Sequence, residues 1–286
     1  MGGLSDISHN CNPHIGPDCG APGIYGTLGV PSSANIPGGR SSASAWTDQD
    51  GNFWLFGGSG FDANGAKDHN EAISCALQGG TCLLNDIWEF NPLTLQWAWM
   101  GGSNIVGLNY PAETGVYGTL GIPAPENVPG GRSGASGWAD HNGNLWLYGG
   151  FGYDSTSAGG GKRLSDLWKF QISSGDWMWM SGTNTVGSSG LMPSVYGSLG
   201  IPDAANTPGS RVNSNAWFDP DGNLWLYGGY GLDLTGYLGD PNDLWEYRLS
   251  TAAAATATPI FNPGAGTYGT PRSVSISDTT PGAAIY

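Results

Sequence analysis

The sequence predicts an all-β chain built around three copies of one four-stranded unit, and three observations predict it. The first is composition. The chain has 50 glycines, 19 prolines and 13 tryptophans, and only 11% of its 286 residues are charged. Helices favour Ala, Leu, Glu and Lys, and disordered chains lack aromatic residues, so many short strands joined by Gly/Pro-rich turns fit best. The second is self-similarity. PGGRSSASAWTDQDGNFWLFGGSGFD from Pro37 aligns with PGGRSGASGWADHNGNLWLYGGFGYD from Pro129 and with PGSRVNSNAWFDPDGNLWLYGGYGLD from Pro208. The third is the run FWLFGG, LWLYGG and LWLYGG, which is apolar without alternation and suits a strand buried on both faces.

The strands follow in order. The first runs from Arg40, Arg132 or Arg211 to Trp46, Trp138 or Trp217 and is built of small residues. DQDGN, DHNGN and PDGN then read as tight hairpin turns, with glycine where φ must be positive. The apolar run ending in Gly-Gly is the second strand. After a loop of variable length, LNDIWEF, LSDLWKF and PNDLWEY form the third, carrying Trp88, Trp168 and Trp245. QWAWM and DWMWM form the fourth, and the third copy has no such strand. IYGTLGVP, VYGTLGIP and VYGSLGIP precede the three copies.

An arginine, an apolar strand ending in Gly-Gly and a spaced aromatic pair (Trp88 and Trp97, or Trp168 and Trp177) recur in order. In this the chain resembles the kelch repeat over about residues 37–249. The resemblance implies a β-propeller with four-stranded blades of about 50 residues, sandwiched against their neighbours. The expected blades are 37–102, 129–182 and 208–249, the last lacking its outer strand. Residues 1–36 are then the end of a preceding blade and a Cys-containing inter-blade loop, since Met1-Gly2-Gly3 matches Met100-Gly101-Gly102. Three blades do not close a ring, so the expectation is a partial propeller whose remaining blades are partners of these three.

Residues 250–258 read as a linker. The stretch 259–286 resembles the start of the β-sandwich module found at the C-terminus of chitobiase-like and β-hexosaminidase-like enzymes, which implies a truncated immunoglobulin-like sandwich. Such modules accompany extracellular proteins that act on or adhere to polysaccharide. The start, Met1-Gly2-Gly3-Leu4, has neither a basic nor an apolar leader region. On the fragment reading the leader belongs to the missing upstream part, and an extracellular or cell-surface location is expected.

A net charge of −14 with only nine Lys plus Arg argues against nucleic-acid and anionic-lipid surfaces. No apolar run approaches the roughly 20 residues of a membrane helix. The four cysteines form two close pairs, Cys11/Cys19 and Cys75/Cys82. Neither has zinc-ligand spacing or a histidine cluster beside it. Two local disulfides, Cys11–Cys19 and Cys75–Cys82, are expected in an oxidising compartment.

Kelch-like propellers include galactose oxidase, whose copper site needs two imidazoles, two tyrosines and a cross-linked cysteine. His9, His14, His69 and His141 fall in an insertion, a loop and a hairpin turn, so no copper, other metal or cofactor is expected within these residues. In the DQDG and DPDG turns Gly51 and Gly222 come too early for a calcium loop. Asp62, Asp154 and Asp233 follow each Gly-Gly, and Asp86, Asp166 and Asp243 precede each third-strand tryptophan. One set is expected to accept hydrogen bonds from loop backbone or to pair with the repeated arginine.

Function is expected where the copies differ. The loops after Gly-Gly carry Phe61, Asp62, Tyr153, Asp154, Tyr230 and Tyr237, aromatic faces beside polar groups that suit sugar rings or a protein partner. The leading expectation is a non-catalytic secreted or surface module that binds protein or polysaccharide. A galactose-oxidase-like enzyme with its centre in the missing blades and a structural repeat of a large adhesin are the alternatives.

Overall fold

The computed structural model describes residues 20–64, 82–106, 113–156, 161–187 and 190–249, with 260–262, 267, 269–270, 273 and 275–277 beyond them. Every regular element among these residues is a strand, and every pairing is antiparallel. The chain divides into two compact units between Tyr247 and Arg248. The second unit contains one described pair of strands, Ile260–Asn262 with Ser275–Ser277. Cys11, Cys19, Cys75 and the side chain of Cys82 lie outside the described residues.

In the first repeat, β1 (Arg40–Ser41), β2 (Ser44–Thr47), β3 (Phe53–Gly60), β4 (Cys82–Asn91) and β5 (Gln96–Gly101) make one sheet. It runs β2-β3-β4-β5, with β1 on the far end of β3. The second repeat has β6 (Arg132–Ser133), β7 (Ser136–Ala139), β8 (Asn144–Tyr148), β9 (Phe151–Gly152), β10 (Lys162–Arg163), β11 (Leu167–Gln171) and β12 (Asp176–Ser181). Its main sheet has the same order, β7-β8-β11-β12. The third repeat has β13 (Arg211–Val212), β14 (Asn215–Phe218), β15 (Asn223–Tyr227), β16 (Tyr230–Leu232), β17 (Leu238–Gly239) and β18 (Leu244–Arg248). Among the described residues its main sheet has three strands, β14-β15-β18.

The first strand, expected as one piece, is two short ones. Ser42, Gly134 and Asn213 take φ of 53°, 65° and 56° at the break, which turns the backbone and ends the first ladder. At the next turn Asp48, Asp140 and Asp219 accept the indole N–H of Trp54, Trp146 and Trp225 at 2.7–2.8 Å and the backbone N–H of Asn52, Asn144 and Asn223. The aspartate thus fixes both the hairpin and the tryptophan that the second strand carries into the core.

The three main sheets stack in chain order, their inner strands β2, β7 and β14 side by side. Ser44 Oγ donates to the Ala135 carbonyl at 2.9 Å, and Ser136 Oγ repeats the bond to Ser214 at 2.9 Å. Trp46 Nε1 donates to the Trp146 carbonyl, as Trp138 Nε1 does to that of Trp225. The core fills the space between the first two sheets, with Trp46, Trp54, Phe56 and Ile87 meeting Leu145, Leu147, Phe170 and Trp177. A second strand buried on both faces is therefore found in the repeat with a neighbour on each side. The open face of the third repeat carries the counterparts of these residues: Trp46 and Trp138 are 6% and 5% exposed, Trp217 is 44% exposed.

The Gly-Gly pairs make this stacking possible. A Cβ on Gly149 (φ 63°) would lie 2.7 Å from the Arg211 carbonyl of the next repeat. On Gly228 (φ 64°) its nearest neighbour would be the Pro241 carbonyl at 3.2 Å. Both positions are left-handed, so alanine costs about 1–2 kcal/mol at either. Gly149→Ala is expected to lose roughly 1–3 kcal/mol more from overlap with the neighbouring backbone. Urea denaturation of the two variants measures the difference, and equal losses would contradict the stacking.

Candidate functional site

Each repeat is organised by a buried carboxylate. Asp166 accepts from both terminal nitrogens of Arg132 at 2.7 and 2.8 Å, from Tyr117 Oη at 2.6 Å and from Trp168 Nε1 at 2.7 Å. Asp86 does the same with Arg40, Tyr25 and Trp88, and Asp243 with Arg211, Tyr196 and Trp245. Each arginine also donates to a carbonyl two residues back and to the carbonyl of the first glycine of the Gly-Gly pair. One side chain therefore ties together the entry strand, the Gly-Gly turn and the third strand, and its carboxylate partner holds the preceding YGTLG or YGSLG block.

Burial pulls the Arg132 guanidinium down, and the Asp166 carboxylate more than offsets this, leaving it raised. Burial, reinforced by Asp166, pushes the Tyr117 hydroxyl well up, as burial and Asp86 do for Tyr25. The phenols therefore stay protonated donors. Three donors converge on Oδ2 of each aspartate and the arginine alone bonds Oδ1, so both oxygens are held by structural partners.

The aspartates after Gly-Gly do the other expected task and accept from loop backbone. Asp62 takes the N–H groups of Asn64 and Val106, at 2.8 and 2.9 Å. Asp154 takes those of Thr156 and Val186, together with Lys162 Nζ at 2.8 Å. Asp233 takes those of Thr235 and Tyr237, at 2.8 and 2.9 Å. The matched positions shift in opposite directions. Burial pushes the Asp62 carboxyl up. Burial also acts on Asp154, but Lys162, Val186 and Thr156 outweigh it and hold that carboxyl down.

The loop residues separate into two groups. Tyr153 and Asp154 are buried, Tyr153 packing on Leu83, and Asp62 is buried beside the half-buried Phe61. Tyr230 and Tyr237 face outward, Tyr237 with 77% of its surface exposed. Arg163 lies over the Tyr230 ring, 4.9 Å from its centroid. Tyr230 also borders a cleft of about 430 Å³ lined by Asn213, Asn215, Tyr227, Gly228, Gly229, Asp240, Pro241 and Asn242. The matching place on the second repeat is filled by the third, where Gly150 N–H donates to the Arg211 carbonyl and Arg211 N–H to that of Leu164. Among the described residues no three of His, Cys, Asp and Glu come together as a metal-binding set.

Sequence reasoning missed Tyr25, Tyr117 and Tyr196 as partners of the arginine–aspartate pair. Their constant place at the head of YGTLG and YGSLG was the available signal. No protein-family model matches the chain, and no curated protein matches it significantly.

Two outcomes test this arrangement. Arg132→Met leaves Asp166 as an unpaired buried charge and is expected to cost about 3–5 kcal/mol in a denaturant melt. Lys162→Met is expected to cost about 3 kcal/mol near neutral pH. Asp154 has a depressed folded pKa, so its stabilisation is present above the ordinary carboxylate range and fades as pH falls through the folded value. The gap between the parent and Lys162→Met should therefore narrow below about pH 4, as followed by melts across pH.

Proposed function

We propose that the chain is a stretch of kelch-type β-propeller, secreted or displayed at the cell surface, which binds a protein or polysaccharide through its inter-strand loops without catalysing a reaction. The blades are the three repeats, and further blades are partners on the open faces at either end. Support for the propeller comes from the head-to-tail stacking of equivalent sheets with inner strands side by side, and from the cleft on the third repeat at the place that the next repeat fills elsewhere. The short strand pair beyond residue 259 is read as the beginning of an immunoglobulin-like sandwich.

The observation that carries the binding role is Tyr237. It is exposed on a turn that Asp233 holds through three hydrogen bonds, from Thr235 N, Thr235 Oγ1 and Tyr237 N. A ring presented on a turn whose backbone is already held costs less ordering on binding, and Asp240 and Asn242 follow within five residues in the sequence. Each repeated carboxylate is bonded to an arginine, a tyrosine and a tryptophan of its own unit, which supports a structural role for it.

The test is a glycan array and a surface-protein panel probed with the 286-residue chain and its Tyr237→Ala variant. The expected result is retention of one ligand class, at least about tenfold weaker binding by the variant and an unchanged melting temperature. Binding that is indifferent to Tyr237 would overturn the assignment.

A further inference from the structure

The third repeat lacks, among the described residues, one strand of the sheet that the other two complete, while the frame around that strand is built. In the first repeat β5 lies between β4 and the YGTLG block. Trp88 pairs with Trp99 and Phe90 with Trp97 on one side. On the other, Gly29 N–H donates to the Trp99 carbonyl at 2.7 Å, and Ser32 N–H and Asn35 Nδ2 donate to that of Trp97 at 3.1 Å. In the second repeat β12 is held the same way, by Gly121 on Trp179 and by Ala124 and Asn127 on Trp177. Tyr25 and Tyr117 meet the second tryptophan of each strand edge-on, with centroids 5.4 and 5.3 Å apart.

The third block keeps this form. Asn206 Nδ2 reaches the Ile201 carbonyl at 3.3 Å, as Asn35 and Asn127 reach those of Val30 and Ile122. Tyr196 bonds Asp243, and its ring lies 5.0 Å from that of Trp245. Yet Tyr196 is 42% exposed where Tyr25 and Tyr117 are each 4% exposed. Trp88 and Trp168 are fully buried, and Trp245 is only half-buried. Among the described residues no strand lies between β18 and residues 195–207. The 13 tryptophans give the same count: five in each of the first two repeats, three in the last and none after Trp245. The two that the third repeat lacks are the alternating pair of the fourth strand.

We propose that the third repeat is an acceptor for an added β-strand, and that the occupant is an extended segment with tryptophan at two alternate positions followed by methionine, a small residue and glycine, as in Met100-Gly101-Gly102 and Met180-Ser181-Gly182. Main-chain bonds to β18 and to the block give affinity, and the alternate side chains give selectivity. Of the tryptophans, the first packs against Tyr247 and the second fills the edge of Tyr196. The final glycine is required because its counterparts Gly102 and Gly182 have positive φ, and a Cβ there would lie 2.1 Å from the carbonyl of Asn85 or Ser165. Asn242 stands at that place in the third repeat. The inference rests on the equivalence of the repeats and not on the loop-binding reading.

The probe is a fluorescent peptide with the sequence of residues 93–102, LTLQWAWMGG, titrated into the 286-residue chain and followed by anisotropy and by hydrogen exchange. Saturable one-to-one binding is expected, with slowed exchange in β18. A peptide with Trp97→Ala and Trp99→Ala should bind at least roughly tenfold more weakly. The Tyr196→Ala chain, which loses the bond to Asp243 together with a ring that is 42% exposed, should melt lower and, compared where it is still folded, bind roughly tenfold more weakly, whereas Tyr196→Phe, which keeps the ring, should bind like the parent. Tyr237→Ala should leave peptide binding unchanged. The proposal is overturned by no binding up to the solubility limit of the peptide, by equal binding of the alanine peptide, by protection confined to β4 or β11, or by loss of binding in Tyr237→Ala.

Discussion

The bidentate pair between a first-strand arginine and a third-strand aspartate is the interaction on which each repeat depends. It joins segments 46, 34 and 32 residues apart in sequence. Its geometry fixes the Gly-Gly turn between them, because the guanidinium also binds the carbonyl of the first glycine. A buried ion pair of this kind gives little net stability over a well-packed apolar alternative, but it penalises any register in which one charge is left alone. A repeat whose second strand is apolar on both faces has few other means of choosing its register.

Stacking converts that local constraint into a larger one. Main-chain bonds between repeats join Gly150 to Arg211 and Arg211 to Leu164, and join the first-strand breaks through Gly134 N–H to Ser42 and Asn213 N–H to Gly134, while the serine and tryptophan donors of the inner strand reach carbonyls in the following sheet. Each interface is head-to-tail, so every sheet presents one face to its predecessor and another to its successor. Contacts of this type continue until the ring closes or the array ends. Trp217, Tyr227 and Leu244 of the third repeat and Phe53 of the first are exposed, whereas their counterparts at the interface of the first two repeats are buried.

Much of this was legible in the sequence because the repeats act as an internal alignment. The order of strands, the hairpin turns and the two aspartate sets follow from residues that keep their spacing. Three features were hidden. The break in the first strand rests on positive φ at Ser42 and Asn213, which are not glycines, so only Gly134 signalled it. The tethering of Trp54, Trp146 and Trp225 by the hairpin aspartates links residues six apart through a turn, a contact without a hydrophobic period. The split of the loop aromatics into buried Tyr153 and exposed Tyr237 depends on which loops fold back under a neighbouring repeat. Local sequence does not carry that information.

Native-state hydrogen exchange on the 286-residue chain tests the central claim most directly, because it compares equivalent strands within one molecule. If the repeats share one architecture and the third is incomplete and uncovered, amides around Trp88 and Trp168 exchange only through the largest opening. Those around Trp245 then exchange through a smaller one, faster by at least roughly a hundredfold. Equal protection of all three tryptophan strands, in the absence of any added strand or partner, would contradict the account.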